Sequence, residues 1–138
     1  MFLQPSQKKY KKERKGIISG IVFESLNSGT YGIVSLECAK INARQIEMAR
    51  RVISKRIKSI GKLWIRIFPS KPITAKPNEV RMGKGKGSVS YWIAEVRPGK
   101  ILYEISGINK TIALKIWKIL SLKLPIKISL RELNSKLF

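Results

Sequence analysis

The sequence predicts an α+β domain: a largely antiparallel sheet with two amphipathic helices packed on it and a long basic loop. Three observations point there. Short apolar runs rich in β-branched and aromatic residues are separated by turn residues in both halves of the chain. Two segments, near 42–61 and 109–124, switch to a helical period. Between 69 and 88, Pro69, Pro72 and Pro77 together with alternating glycines deny continuous helix or central strand. The 138 residues, 43% of them apolar, suit one modest core. The expected organisation is a basic tail over 1–16 and a single domain over 17–138, from which the loop 69–88 projects.

The tail carries Lys8, Lys9, Lys11, Lys12, Arg14 and Lys15 against a lone Glu13. A run of like charge with no apolar stripe stays solvated alone and orders on a polyanion. Residues 17–23 and 31–36 have strand chemistry, and Asn27-Ser28-Gly29 between them reads as the turn of a hairpin. Cys38, the single cysteine, has no internal disulfide partner and is expected as a small buried hydrophobe.

A helix follows. Ile46, Ala49, Ile53, Ile57 and Ile60 fall within about 80° of arc at 100° per residue. Asn42 stands at the N-cap, Gln45 completes a capping box and Gly61 is placed to end the helix. Arg44, Arg51, Lys55 and Lys58 occupy the opposite face, and Arg50 and Arg56 flank the stripe. Glu47 is the one acid among them, too little to balance them within the helix, so this face is expected to touch phosphate.

Leu63, Ile65 and Ile67 then alternate with Trp64, Arg66 and Phe68, apolar enough on both sides to predict an interior strand. Beyond the loop, 89–96 predicts a strand, Arg97-Pro98-Gly99-Lys100 a tight turn, and 101–105 its hairpin partner. The second helix runs from a cap at Asn109 to about Lys123, with Ile112, Ala113, Ile116, Ile119, Leu120 and Leu124 on one broad side, widened by Trp117, and Pro125 as its stop. Residues 126–130 predict a last edge strand.

Charge narrows function. Twenty-nine Lys and Arg against eight acidic residues give +21, a self-repulsion that a polyanion relieves, so nucleic acid is the expected partner. A membrane is not expected: the cations are spread along the chain, and no apolar run reaches the ~18 residues of a span. Without histidine or aspartate, a general base or a metal site has few candidates; no catalytic residue, metal or cofactor is expected.

The basic loop centres on Arg81-Met82-Gly83-Lys84-Gly85-Lys86-Gly87, where glycines let the backbone lie against a surface and long cationic stems reach phosphate. It is not a nucleotide-binding P-loop, because the spacing fails and Gly87, not Ser or Thr, follows Lys86.

The ordered words Ala43-Arg44-Gln45-Ile46-Glu47, Gly61-Lys62-Leu63-Trp64-Ile65-Arg66-Ile67-Phe68-Pro69, Lys71-Pro72-Ile73-Thr74, Val80-Arg81-Met82-Gly83-Lys84-Gly85-Lys86-Gly87, Tyr91-Trp92, Pro98-Gly99-Lys100-Ile101-Leu102-Tyr103-Glu104 and Lys123-Leu124-Pro125-Ile126-Lys127 resemble the large-subunit ribosomal protein family of bacteria and organelles numbered sixteen, L-sixteen. The resemblance starts at Leu3-Gln4-Pro5 and covers nearly the whole chain. It departs at 17–21, which is apolar where the family carries further basic residues. It implies a structural, non-enzymatic constituent of the large ribosomal subunit, partnered by large-subunit rRNA, tRNA and neighbouring ribosomal proteins, with no homo-oligomer. It further implies a position near the aminoacyl-tRNA site, with the loop 81–87 directed toward tRNA and the peptidyl-transferase region. The Ile- and Lys-rich composition and the flush start with the family pattern suit an organelle-encoded copy, so a mitochondrion is the expected compartment, with plastid or bacterial cytoplasm as alternatives. The other reading is a free-standing architectural RNA-binding protein outside the ribosome.

Overall fold

The computed structural model describes residues 4–58 and 60–133. Its elements run β1 (Tyr31–Ser35), β2 (Ala39–Asn42), α1 (Ala43–Ile57), β3 (Lys62–Ile65), β4 (Lys71–Ala75), β5 (Ser88–Val96), β6 (Ile101–Ser106), α2 (Lys110–Lys123) and β7 (Ile128–Glu132). The α+β class holds, but the strands form two antiparallel sheets: a four-stranded one ordered β3-β6-β1-β7 and a three-stranded one ordered β2-β5-β4.

Buried Ile46, Ala49, Ile53 and Ile57 form the inward stripe of α1, and Ala113, Ile116 and Leu120 that of α2. They join one cluster with Ile33, Ile41, Ala94, Val96, Leu102, Tyr103 and Ile105 from the two sheets. Two hydrogen bonds tie helices to strands: Tyr103 Oη donates to Ile46 O at 3.0 Å, and Trp117 Nε1 donates to Ile128 O at 3.0 Å. The predicted capping box is present, with Gln45 Oε1 accepting from Asn42 N at 2.9 Å and Asn42 Oδ1 from Arg44 N at 3.3 Å. The helix stops at Ile57 rather than Gly61, through a left-handed Lys58, so Ile60 leaves the stripe and is exposed.

Four strand expectations are corrected. Residues 17–23 form no strand; they belong to a strap fixed by single contacts. Val22 N donates to Pro98 O at 2.9 Å, and the Glu24 carboxylate accepts from Ile101 N at 3.0 Å and Lys100 Nζ at 3.2 Å. Asn27-Ser28-Gly29 is therefore no hairpin turn, and β1 pairs with β6 and β7 instead. The turn 97–100 does not close a hairpin either: β5 and β6 lie in different sheets, and the turn passes the chain between them, held by Gly99 N donating to Ser35 O at 2.8 Å. Gly99 has φ 85°, and a Cβ there would stand 1.8 Å from Val22 O, so only glycine lets the strap cross. Finally β3 is an edge strand, not an interior one. Just past its end, Arg66 reaches the buried Glu104 on β6.

The long loop is also reassigned. Lys71–Ala75 forms strand β4 despite Pro72, which fits because β4 is an edge of its sheet. The arm is thus a β4–β5 hairpin with an irregular tip over 76–87. Cys38 lies in the short link before β2 and is exposed, not buried.

Candidate nucleic-acid interface

The tip is held by its strands and open at its end. At its neck Gly87 lies so close to β4 that a Cβ would meet Ala75 O at 2.3 Å, which makes this glycine a packing requirement. Gly83, Lys84 and Gly85 form a run of positive φ at 105°, 53° and 79°, and a Cβ at either glycine would meet open space. These two glycines therefore serve the backbone path, and Lys84 adopts a conformation unusual for a residue with a side chain. Arg81, Met82, Lys84 and Lys86 are exposed, Met82 completely. Lys76 Nζ donates to Gly83 O at 2.5 Å and steadies the turn from inside.

The N-terminal segment, expected as a separate tail, lies along this arm over its described residues. Lys12 Nζ donates to Lys86 O at 2.9 Å, and Lys86 Nζ donates to Glu13 O. Lys8 Nζ donates to Ser70 O and pairs with Glu13, both at 2.6 Å, and stands 5.3 Å from the centre of the Trp92 ring. Lys9, Lys11, Arg14 and Lys15 remain exposed. The structure thus brings tail and tip cations together along the hairpin.

On α1, Arg44, Lys55, Arg56 and Lys58 are exposed as expected. Arg50 and Arg51 are not free: Arg50 grips Glu47 with two bonds of 2.8 Å, and Arg51 adds one of 3.0 Å. The Arg50 bond, opposed by burial and helped by Arg51, pulls the Glu47 carboxyl down to about 2. The single acid of the helix is shared between the two arginines one turn away.

The residue that reading the sequence missed is Glu104, fully buried on β6. It accepts from Ser28 N at 2.8 Å, Gly29 N at 3.0 Å, Asn27 N at 3.3 Å and Arg66 Nη1 at 2.7 Å. Burial alone would raise its pKa, but those N–H groups and the guanidinium hold it below the usual carboxylate range. The signal available beforehand was Asn27-Ser28-Gly29, a turn that can wrap a carboxylate as readily as it reverses a strand.

Every acid but Glu79 stands in an ion pair among the described residues, so the acids are used within the chain while most cations face outward. Among the described residues no group of His, Cys, Asp or Glu could hold a metal ion, and no helix is long and apolar enough to cross a membrane. A two-sheet α+β body with a projecting cationic hairpin is a basic scaffold suited to a polyanion. Comparison gives the particular family. The family described as Ribosomal protein L16p/L10e matches residues 5–131. The protein called Large ribosomal subunit protein uL16 from Buchnera aphidicola subsp. Cinara cedri is 53% identical over 126 residues, covering 91% of this chain and 93% of its own. The protein of that name from Blochmanniella floridana is 53% identical over 126 residues, covering 91% and 95%, and that from Wigglesworthia glossinidia brevipalpis 51% over 125 residues, covering 90% and 92%. The chain belongs to the L16p/L10e family of ribosomal proteins.

Proposed function

We propose that this chain, a structural constituent of the large ribosomal subunit, binds large-subunit rRNA near the aminoacyl-tRNA site and directs the tip 81–87 toward tRNA and the peptidyl-transferase region. The observation that carries the reading is the tip itself: Arg81, Lys84 and Lys86 are exposed at the end of a hairpin rooted in a sheet, and among the described residues none forms an ion pair with an acid. Lys9, Lys11, Lys12, Arg14 and Lys15 beside the tip, with Arg44, Lys55, Arg56 and Lys58 on α1, neutralise rRNA phosphates and hold separate RNA segments together. Arg50 and Arg51 contribute with the charge left over after Glu47 is satisfied. Neighbouring ribosomal proteins complete the surroundings, and no enzymatic step is assigned to the chain.

The compartment proposed from composition is the mitochondrion; the bacterial relatives favour a second reading, the bacterial cytoplasm. Sedimentation of native cell and organelle extracts, with mass spectrometry of the fractions, tests both. Co-migration with large subunits that resists a moderate salt wash is expected, in whichever extract holds the chain. Recovery only in light, RNase-sensitive particles would point to a free-standing RNA-binding protein.

A further inference from the structure

An open groove of about 690 Å³ runs between α1 and β5, away from the hairpin tip, with Gln4 of the N-terminal segment also among its lining residues. Its apolar lining comes from Met48 and Val52 on the helix and from Tyr91 and Trp92 on the strand, and Arg44 and Arg51 add positive charge. Tyr91 is 44% exposed, unusual for a large aromatic inside a central strand. The strand is irregular at this point: Tyr91 pairs with Ile73 while Val89 pairs with Thr74, which leaves Ser90 as the extra residue. Such a bulge re-aims the side chains beside it. Trp92 already has the Lys8 ammonium over its ring, so Tyr91 is the aromatic with a face to offer. Glu47 also lines the groove, but both its oxygens are taken by Arg50 and Arg51, and Arg44 keeps its charge.

We infer that this groove holds a single unstacked nucleotide of RNA, its base against Tyr91 and its phosphate on Arg44. A flat apolar slot with cations suits a nucleotide: every base has a π-face to stack, and the guanidinium meets the phosphate beside it. The groove volume falls within the range of ligand pockets. The cavity of about 300 Å³ on the tail side offers no such fit, since its cations Arg66, Lys71 and Lys100 are already paired with Glu104, Glu95 and Glu24.

This rests on the rRNA-binding reading above, and the experiment separates the two. Binding of the full chain to deproteinised large-subunit rRNA is measured as a function of salt for the native protein, Tyr91→Ala, Tyr91→Trp and Arg44→Ala, and native subunits are irradiated to map protein–nucleotide crosslinks. Tyr91→Ala is expected to weaken binding roughly 5- to 150-fold with the salt slope unchanged, because a stack releases no counterions. Tyr91→Trp restores the affinity, and Arg44→Ala flattens the slope by about 0.7 to 0.9. A nucleotide adduct is expected on the peptide holding Tyr91. Native-like affinity for Tyr91→Ala, or a protein crosslink in place of the nucleotide, would overturn the groove assignment. Loss of salt-dependent binding by the native chain itself would instead overturn the rRNA-binding reading.

Discussion

The two sheets treat charge in opposite ways. In the four-stranded sheet β6 is buried from Ile101 to Ile105, and the carboxylate of Glu104 within that run is satisfied by Arg66 and the 27–29 backbone. In the three-stranded sheet the β4–β5 hairpin leaves the core, and its tip ends in exposed cations that, among the described residues, donate to backbone carbonyls and to no acid. A buried charge without a partner is costly, whereas an exposed one costs little and stays available to a phosphate. Both sheets feed the core, and the second in addition carries at its tip a surface whose counter-charge comes from outside.

Perturbing the body should have the larger effect on stability. Ile53→Ala removes a fully buried side chain of α1 and is expected to lower stability by about 2–5 kcal/mol, read from denaturant unfolding. An unchanged midpoint would move the core elsewhere. Glu104→Ala orphans the 27–29 amides and is expected to lower stability by about 3 kcal/mol, toward the lower end for a broken buried pair because Arg66 keeps some access to water. If that variant unfolds like the native chain, the strap is not anchored as described.

Acidity sharpens the same contrast. Glu104 and Glu47 both titrate below their ordinary value of 4.5 in the folded chain, Glu47 at about 2. Below that ordinary value the unfolded chain takes up protons that the folded chain refuses, so their stabilisation is complete above about pH 4.5 and fades as the pH falls through the depressed native values. Unfolding midpoints are expected to fall between pH 5 and pH 2, and Glu104→Gln should flatten part of that slope. A midpoint that rises on acidification would contradict the assignment.

At the tip the order reverses. Lys84→Ala together with Lys86→Ala is expected to shift stability by no more than about 0.5 kcal/mol, since both side chains are exposed and bury little apolar surface. Large subunits carrying the double variant are expected to contain the protein at normal stoichiometry and to bind aminoacyl-tRNA more weakly. A double variant that unfolds would make the tip structural.

How far the sequence disclosed this molecule follows the range of its forces. The N-cap of α1, its buried stripe up to Ile57 and the start of α2 at Asn109 were legible because they depend on residues three or four apart; the stop at Lys58, three residues before Gly61, was not. The basic tip could be read from composition and its glycines. Partner choice between strands could not: 97–100 is a genuine turn, but nothing local says that the next strand joins the other sheet. The strap failed for a related reason. Residues 17–23 have strand chemistry, yet Ile17, Ile21 and Phe23 are exposed, and the strap is held by a single backbone bond from Val22 to Pro98 and by the Glu24 carboxylate on Ile101 N. Glu104 hid in an apolar run because its partners lie 38 and about 76 residues away. The groove beside Tyr91 depends on a bulge and a helix brought together only in three dimensions.

The claim that the uncompensated cations of this chain meet rRNA phosphates is tested most directly by its salt dependence. Affinity of the full chain for deproteinised large-subunit rRNA, measured from 50 to 200 mM salt, is predicted to fall by roughly 10³ to 10⁵, the loss for six to ten phosphate contacts. A fall of less than about tenfold would mean that few of those cations touch RNA, and would contradict the account.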